Sequence, residues 1–402
     1  AGIGAEARYN DVTLLLAPGL NLKRHPLGGR NFEYYSEDPL LSGLTAAAFV
    51  RGVQSEGVGA TLKHYAVNNQ EKLRMSIDAQ VDERTMHELY LRGFEIAVKE
   101  SQPQAVMSSY NRVNGIYVSE HPLLLTEILR DDWGFEGLVV SDWGAVEDPI
   151  ASVAAGLDLE MPGNPLTPPI LVQAVQEEKL DEAHVDRAAA KVLQLVDRQA
   201  AMLAKPETDP RSANHDLARK VVLEGMVLLE NDGTLPITDG EKLRIGVVGN
   251  LAFRPRIQGI GSSQISTSTV DIPWDFVEKL GQAQGHSMAA WSTEYPEDGL
   301  PLDDKAELEG FLKKQELILA FVGQPASHDA EAWDRPSIEL AAADRQIVDL
   351  SRSSGVPFVV ILTGGGAMNV SGFHDDAEAV IMGWLGGEAW GSAIAEVLFG
   401  ES

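Results

Sequence analysis

Short apolar runs alternate with amphipathic stretches through the first half of this chain, and that alternation restricts the fold more than any other feature. Apolar runs at 13–17, 59–63, 105–109, 137–141 and 157–161 have strand length. Between them, segments 40–55, 82–99 and 122–131 repeat apolar residues three or four apart, as in Met86, Leu89, Tyr90, Phe94 and Ala97. Strands separated by helices that can cover them build a parallel sheet. The polar residues gather where the strands run out: Arg30 in the loop after the first, then His64, Tyr110, Asp142 and Glu160 at or near the ends of the others. A (β/α)8 barrel carries its chemistry on those carboxyl ends. The expected fold class is therefore α/β, beginning with such a barrel. Only five strands are legible, with weaker strand possibilities around 165–175, and an unclosed sheet would expose raw edges. The expectation is a barrel that is N-terminally incomplete in this chain.

A chain of 402 residues exceeds one ordinary core, so two domains are expected. Segment 181–203 reads as a helix, and Lys205-Pro-Glu-Thr-Asp-Pro210 breaks its period with two prolines. A helix at 215–229 follows. Strands are then expected at 243–248, 317–322, 358–362 and 379–382, with a weaker one near Met288 and helices at 304–314 and 338–351. That is the pattern of an open α/β sandwich. The expected domains are a barrel over 1–204, a linker over 205–217 and the sandwich over 218–402.

Aspartate and glutamate number 60 against 32 lysines and arginines, a formal charge of −28. Such a field repels nucleic-acid phosphates and anionic lipid, so neither nucleic acid nor a membrane is an expected partner. With no cysteine there is no disulfide framework, thiolate metal site or thiol nucleophile. No apolar run approaches the ~20 residues that span a bilayer, and the first residues lack the charged-then-apolar order of a signal peptide. A soluble protein is expected, cytoplasmic or else secreted or periplasmic. Histidines and acids show no metal-ligand spacing, so neither a metal nor another cofactor is implied. Gly249 follows a strand without the further glycines of a dinucleotide fingerprint, and Gly364-Gly-Gly366 lacks the lysine and hydroxyl residue of a phosphate loop.

Two carboxylates stand out by position. Asp142 follows the apolar run Leu138-Val-Val-Ser141, and Glu331 opens the polar segment Glu331-Ala-Trp-Asp-Arg335 beyond another such run. A pair of carboxyl groups flanking an acetal is the minimal machinery for glycoside hydrolysis. Spacing alone leaves Asp142 open to a helix N-cap or turn role, and Glu331 to a solvated loop with Glu316, Asp329 and Asp334 as rivals.

Six segments, in order, decide between these. Gly28-Gly-Arg30-Asn-Phe-Glu-Tyr-Tyr-Ser-Glu-Asp38, Lys63-His64-Tyr-Ala-Val-Asn-Asn69, Met107-Ser-Ser-Tyr110-Asn-Arg-Val-Asn-Gly115, Gly137 through Trp143, Glu331 through Arg335, and Trp384-Leu-Gly-Gly-Glu-Ala-Trp-Gly391 with Leu398-Phe-Gly400 resemble glycoside hydrolase family 3, β-glucosidase type. The resemblance implies a retaining exo-β-glycosidase acting on a small-molecule β-glycoside or oligosaccharide, with its cleft between the barrel's carboxyl face and the second domain. It makes Asp142 the nucleophile and Glu331 the general acid and base. It lines the glycone pocket with Arg30, Lys63, His64, Arg74, Met107, Tyr110 and Trp143, and brings Ser262 of Gln258-Gly-Ile-Gly-Ser262 from the second domain. Positive groups such as Lys63, His64 and Arg74 would keep Asp142 ionised. β-Xylosidase or arabinofuranosidase activity is the alternative within the family, and non-catalytic sugar binding the alternative outside it. The sequence departs from the family in having no Asp-Gly-Pro stretch and in placing Ala332 where the family has glycine. The sequence sets no oligomeric state.

Overall fold

The computed structural model describes residues 1–200, 208–238, 240, 242–267 and 269–402. The expected breaker at 205–210 lies partly outside them, at 205–207, as does the end of the helix expected at 181–203. The chain forms two compact units, one of Ala1–Gly28 with Glu33–Arg211, the other of Gly29–Phe32 with Ser212–Ser402.

The first unit contains strands β1 (Leu14–Leu15), β2 (Gly59–Tyr65), β3 (Asp78–Ala79), β4 (Ala105–Ser108), β5 (Arg112–Val113), β6 (Ile116–Tyr117) and β7 (Leu138–Ser141). A parallel sheet runs β1-β2-β4-β7, and a smaller one β3-β5-β6. The expected strand at 157–161 contributes only one parallel bridge, Val140 to Leu159. The reason is Asp158, whose buried carboxylate accepts from Val139 N at 2.8 Å and pairs with Arg130 at 2.6 Å, so a side chain takes a place that a ladder carbonyl would fill. Around 165–175 the chain is not a strand but the helix Thr167–Gln176, begun by prolines at its first turn, where their missing N–H costs no hydrogen bond.

Helix Pro39–Gln54 starts where Asp38 Oδ1 caps Leu40 N at 2.8 Å, and it packs on Arg92–Ser101. The single helix expected over 82–99 is divided into Glu83–Thr85, a π turn at Met86–Tyr90 and Arg92–Ser101. The wide turn shifts the apolar stripe, so Met86 is buried while Leu89 faces solvent. Phe94 and Tyr65 meet edge to face at 5.3 Å in the core beneath. The small sheet, absent from the sequence expectations, closes on the Asn114-Gly115 turn; both residues have positive φ (51° and 98°), as a two-residue hairpin requires.

The second unit contains β8 (Val227–Asn231), β9 (Arg244–Val248), β10 (Ser287–Trp291), β11 (Leu317–Gly323), β12 (Phe358–Thr363) and β13 (Ala379–Met382), in the order β10-β9-β11-β12-β13-β8. All pairs are parallel except β13 with β8. β11 and β12 are buried end to end, as strands covered on both faces must be. The helix expected over 215–229 stops at Gly225, and Val227–Asn231 leaves it to pair with β13. The helix expected from 338 begins at Ala342, because Ile338 gives its carbonyl to Asn369 N. Helices Pro273–Ala283 and Trp390–Phe399 were not legible; the second is buried on nearly every side and so lacks amphipathic contrast. Among the described residues no helix is long and apolar enough to cross a membrane.

Candidate functional site

In the first unit the candidate side chains sit at the carboxyl ends of β2, β4 and β7. β2 is buried throughout, and Lys63 and His64 with it. The Asn21 amide brackets the His64 backbone, accepting from its N–H at 2.7 Å and donating to its carbonyl at 2.9 Å. The imidazole thereby lies with Nδ1 3.3 Å from the Tyr34 hydroxyl and Nε2 3.7 Å from Asp142 Oδ2.

Asp142 emerges from β7 only 7% exposed. Its own N–H continues the sheet to Ser108 O at 3.0 Å, and its Oδ1 accepts from Trp143 N at 2.8 Å. One carboxylate oxygen is thus fixed by a main-chain donor while the other faces the imidazole edge. Ionised acceptors make the stronger class of hydrogen bond, which helps hold a carboxylate in one rotamer away from water. The Arg74 guanidinium donates to Glu71 Oε2 at 2.8 Å and lies 4.7 Å over the Tyr110 ring. Glu71, which sequence reasoning did not single out, is itself buried. Met107 is buried in a strand cluster with Ala105, Leu138 and Val140, whereas the Trp143 indole is 44% exposed. The first unit therefore joins His64 to Asp142 and Arg74 to Tyr110, buries Met107 within the sheet and leaves Trp143 open.

In the second unit, Glu331 lies beyond β11 and the short 3-10 turn Ala326–His328. Its N–H donates to Ile260 O at 2.9 Å, and its Oε2 accepts from Ser262 N at 2.7 Å. Its Oε1 is 3.6 Å from Nη1 of Arg30, which belongs to the same unit and is buried. Ser262 thus meets Glu331 through its main chain. Gly261, at φ +126°, permits that approach: a Cβ there would lie 2.4 Å from Glu331 Cβ. Asp334 accepts from Gly29 N at 3.0 Å, which ties the Glu331 loop to the segment carrying Arg30. Ala332, in the position the family fills with glycine, has φ +74°. The left-handed conformation that glycine adopts freely is retained here by a residue with a Cβ, at a cost of roughly 1–2 kcal/mol.

The loop is anchored on either side of Glu331. Asp329 is fully buried, accepts from Arg256 Nη2 and Gly365 N at 3.0 Å each, and pairs with Arg335. Arg335 Nε also donates to His328 O at 2.8 Å. Burial pushes the Arg256 guanidinium down in pKa, against the opposing charge of Asp329. Asn21 and Arg256 escape sequence reasoning because they act on residues 43 and 73 positions away, with no local signature. Asp329 precedes the motif and Arg335 closes it, and a buried charge pair is not visible in spacing. Among the described residues no cluster of histidine, cysteine and acidic side chains could hold a metal ion.

Residues 1–195 match the glycosyl hydrolase family 3 N terminal domain, and residues 226–402 the glycosyl hydrolase family 3 C-terminal domain. The chain is 39% identical to thermostable β-glucosidase B of Acetivibrio thermocellus, over all of this chain and 53% of that protein. It is 38% identical to an exo-α-(1→6)-L-arabinopyranosidase of Bifidobacterium breve, over 98% of this chain and 53% of that one. A solved Bifidobacterium adolescentis GH3 β-glucosidase superposes with a TM-score of 0.91 at 36% identity, covering 99% of this chain and 58% of the other. The chain thus spans about half the length of the curated relatives it matches. With both domain models matched in order, one after the other, the chain belongs to glycosyl hydrolase family 3.

Proposed function

We propose that this chain carries the catalytic residues of a retaining exo-β-glycosidase, a β-glucosidase that releases glucose from the non-reducing end of small β-glucosides. The observation that carries the reading is the buried Asp142 carboxylate at a strand end, one oxygen held by Trp143 N and the other 3.7 Å from His64. Two relatives whose names state β-glucosidase, at 36% and 39% identity, support the substrate class.

In this reading Asp142 attacks the anomeric carbon, and the bond to the leaving oxygen breaks as Glu331 gives that oxygen a proton. Glu331 then removes a proton from water, which attacks the same carbon and returns the Asp142 carboxylate. Ser262 N and Arg30 keep the Glu331 carboxyl in one place through both steps. Arg30, Lys63, His64, Arg74 and Tyr110 are polar enough to take sugar hydroxyls; Met107 and Trp143 supply apolar contact. A second reading, a related exo-glycosidase acting on a pentose, is favoured by the 38% identity to the arabinopyranosidase.

Incubation with a 2-deoxy-2-fluoro-β-glucoside tests the mechanism, because the fluorine slows release of the covalent sugar. Intact mass should rise by one fluorosugar, and peptide mapping should put it on Asp142. Reversible binding without mass gain would instead make this a sugar-binding protein, and an adduct elsewhere would remove Asp142 as nucleophile.

A further inference from the structure

Segment Trp384-Leu-Gly-Gly-Glu388-Ala-Trp-Gly391 is one of the six that mark the family, yet the catalytic reading uses none of its side chains. Glu388 lies half-buried in the second unit, between a helix and a loop. Its Oε1 is 3.1 Å from Nδ1 of His215, on helix Arg211–Gly225, and its Oε2 accepts from the Thr267 hydroxyl at 2.9 Å. The adjoining main chain reaches the same loop: Gly387 N donates to Ile257 O at 3.1 Å, and Asp271 N to Glu388 O at 2.8 Å.

Ile257 and Thr267 are the two ends of the loop that reaches Glu331. Across its base the Gln258 side chain bonds Ile265 in both directions, Nε2 donating to the carbonyl at 2.7 Å and Oε1 accepting from the N–H at 3.0 Å. A parallel bridge between Ile260 and Ala330 sets the main chain before Glu331, whereas the Glu331 carboxyl takes its place from Ser262 N, 2.7 Å from Oε2. With the loop braced internally, Gly387 and Glu388 at its ends decide where Ser262 N stands. His215 supplies the charge that holds Glu388. Its Nε2 is 3.2 Å from Asp271 Oδ2, so each ring nitrogen faces a carboxylate oxygen, and only the imidazolium has an N–H for both. Burial acts to lower the His215 pKa, but Glu388 and Asp271 outweigh it and push the value up. Asp271 is fixed in turn by the Ser392 hydroxyl, while Arg219, a turn further along the helix, is taken up by Glu396 at 2.7 Å.

We propose that Glu388, with His215 as its counter-ion, is a positioning residue for the general acid: it clasps the loop 257–267 and so sets Ser262 N against the Glu331 carboxyl. This rests on the acid role of Glu331, and Glu331→Ala is therefore the reference variant. Glu388→Ala should lower kcat/KM on alkyl glucosides by about tenfold or more and change it by less than about twofold on a dinitrophenyl glucoside, whose leaving group needs no proton. Glu388→Gln keeps polar atoms toward both His215 and Thr267 and should restore most of the loss. Added to Glu331→Ala, Glu388→Ala should cost the alkyl glucoside less than about a further twofold, because the group it positions is already gone. His215→Phe should show the same split between substrates. Thr267→Val, which removes only the hydroxyl on the loop, should show it at smaller size and serves if the Glu388 variant does not fold. In crystals of Glu388→Ala or Thr267→Val the 2.7 Å contact between Ser262 N and Glu331 should be broken. Equal losses on the two substrates, full additivity with Glu331→Ala, or an unbroken contact would overturn the proposal. Equal losses for Glu331→Ala itself would sink the general-acid reading and the proposal with it, and the crystal contact would tell the two failures apart.

Discussion

Glu331 and Asp142 differ in what their removal should take away. A general acid contributes about 10²- to 10⁴-fold, and most of that when the leaving oxygen is a poor one. Glu331→Ala is therefore expected to lower kcat/KM on alkyl glucosides by a factor in that range and to spare activated aryl glucosides, whereas Asp142→Ala abolishes both. Equal losses on the two substrate types for Glu331→Ala would remove it from the role. Gly261 offers a subtler test at the same scale. An alanine Cβ would fall 2.4 Å from Glu331 Cβ and 2.9 Å from its Oε2, so Gly261→Ala must displace the carboxyl. Misplacement by about 1 Å costs roughly 10²-fold. Turnover of alkyl glucosides should drop by about that much while activated substrates fall less, and steady-state kinetics on both would report it.

At the scale of elements, helix Ala342–Ser353 carries a buried acid in its first turn, Asp344. Burial pushes its carboxyl up to about 7, against the Gly323 N–H and the Tyr295 hydroxyl that it accepts. The folded value lies above the ordinary carboxyl value, so folding takes up a proton. This contribution to stability is full below about pH 4 and is lost as pH rises through about 7, a span on the order of 4 kcal/mol. Melting curves from pH 4 to pH 8 should show this slope, and Asp344→Asn should flatten it; an unchanged slope would assign the pH dependence to other groups. Strands were legible where an apolar run marked a stretch buried on both faces, as in β9, β11, β12 and β13. Legibility failed where a side chain replaced the backbone's usual partner, as Asp158 does beside β7. It also failed at the π turn Met86–Tyr90, whose extra residue shifts the period, and at β8, which inherits an apolar run that reads equally well as a helix end. Of the candidate site, the motif residues were visible, but their holders Asn21, Glu71 and Arg256 were not, because each is chosen by the fold and not by its neighbours in sequence.

For the whole molecule, order along the chain is the informative quantity: six short segments in a fixed succession pointed to the family that the two domain matches then showed. The acidic balance of 60 to 32 bears on solubility and gives no preference among neutral sugars. Specificity is therefore a question for substrates. On a panel of nitrophenyl glycosides, kcat/KM is expected to be highest for the β-glucoside; a larger value for the β-xyloside or an arabinoside would favour the pentose reading. Arg256 holds Asp329 and two main-chain carbonyls, Gln324 O and Thr363 O. A screen scored by lost turnover would rank it among the reacting groups, although all three of these contacts go to the frame behind Glu331, so severity of phenotype here is a poor guide to proximity to the sugar.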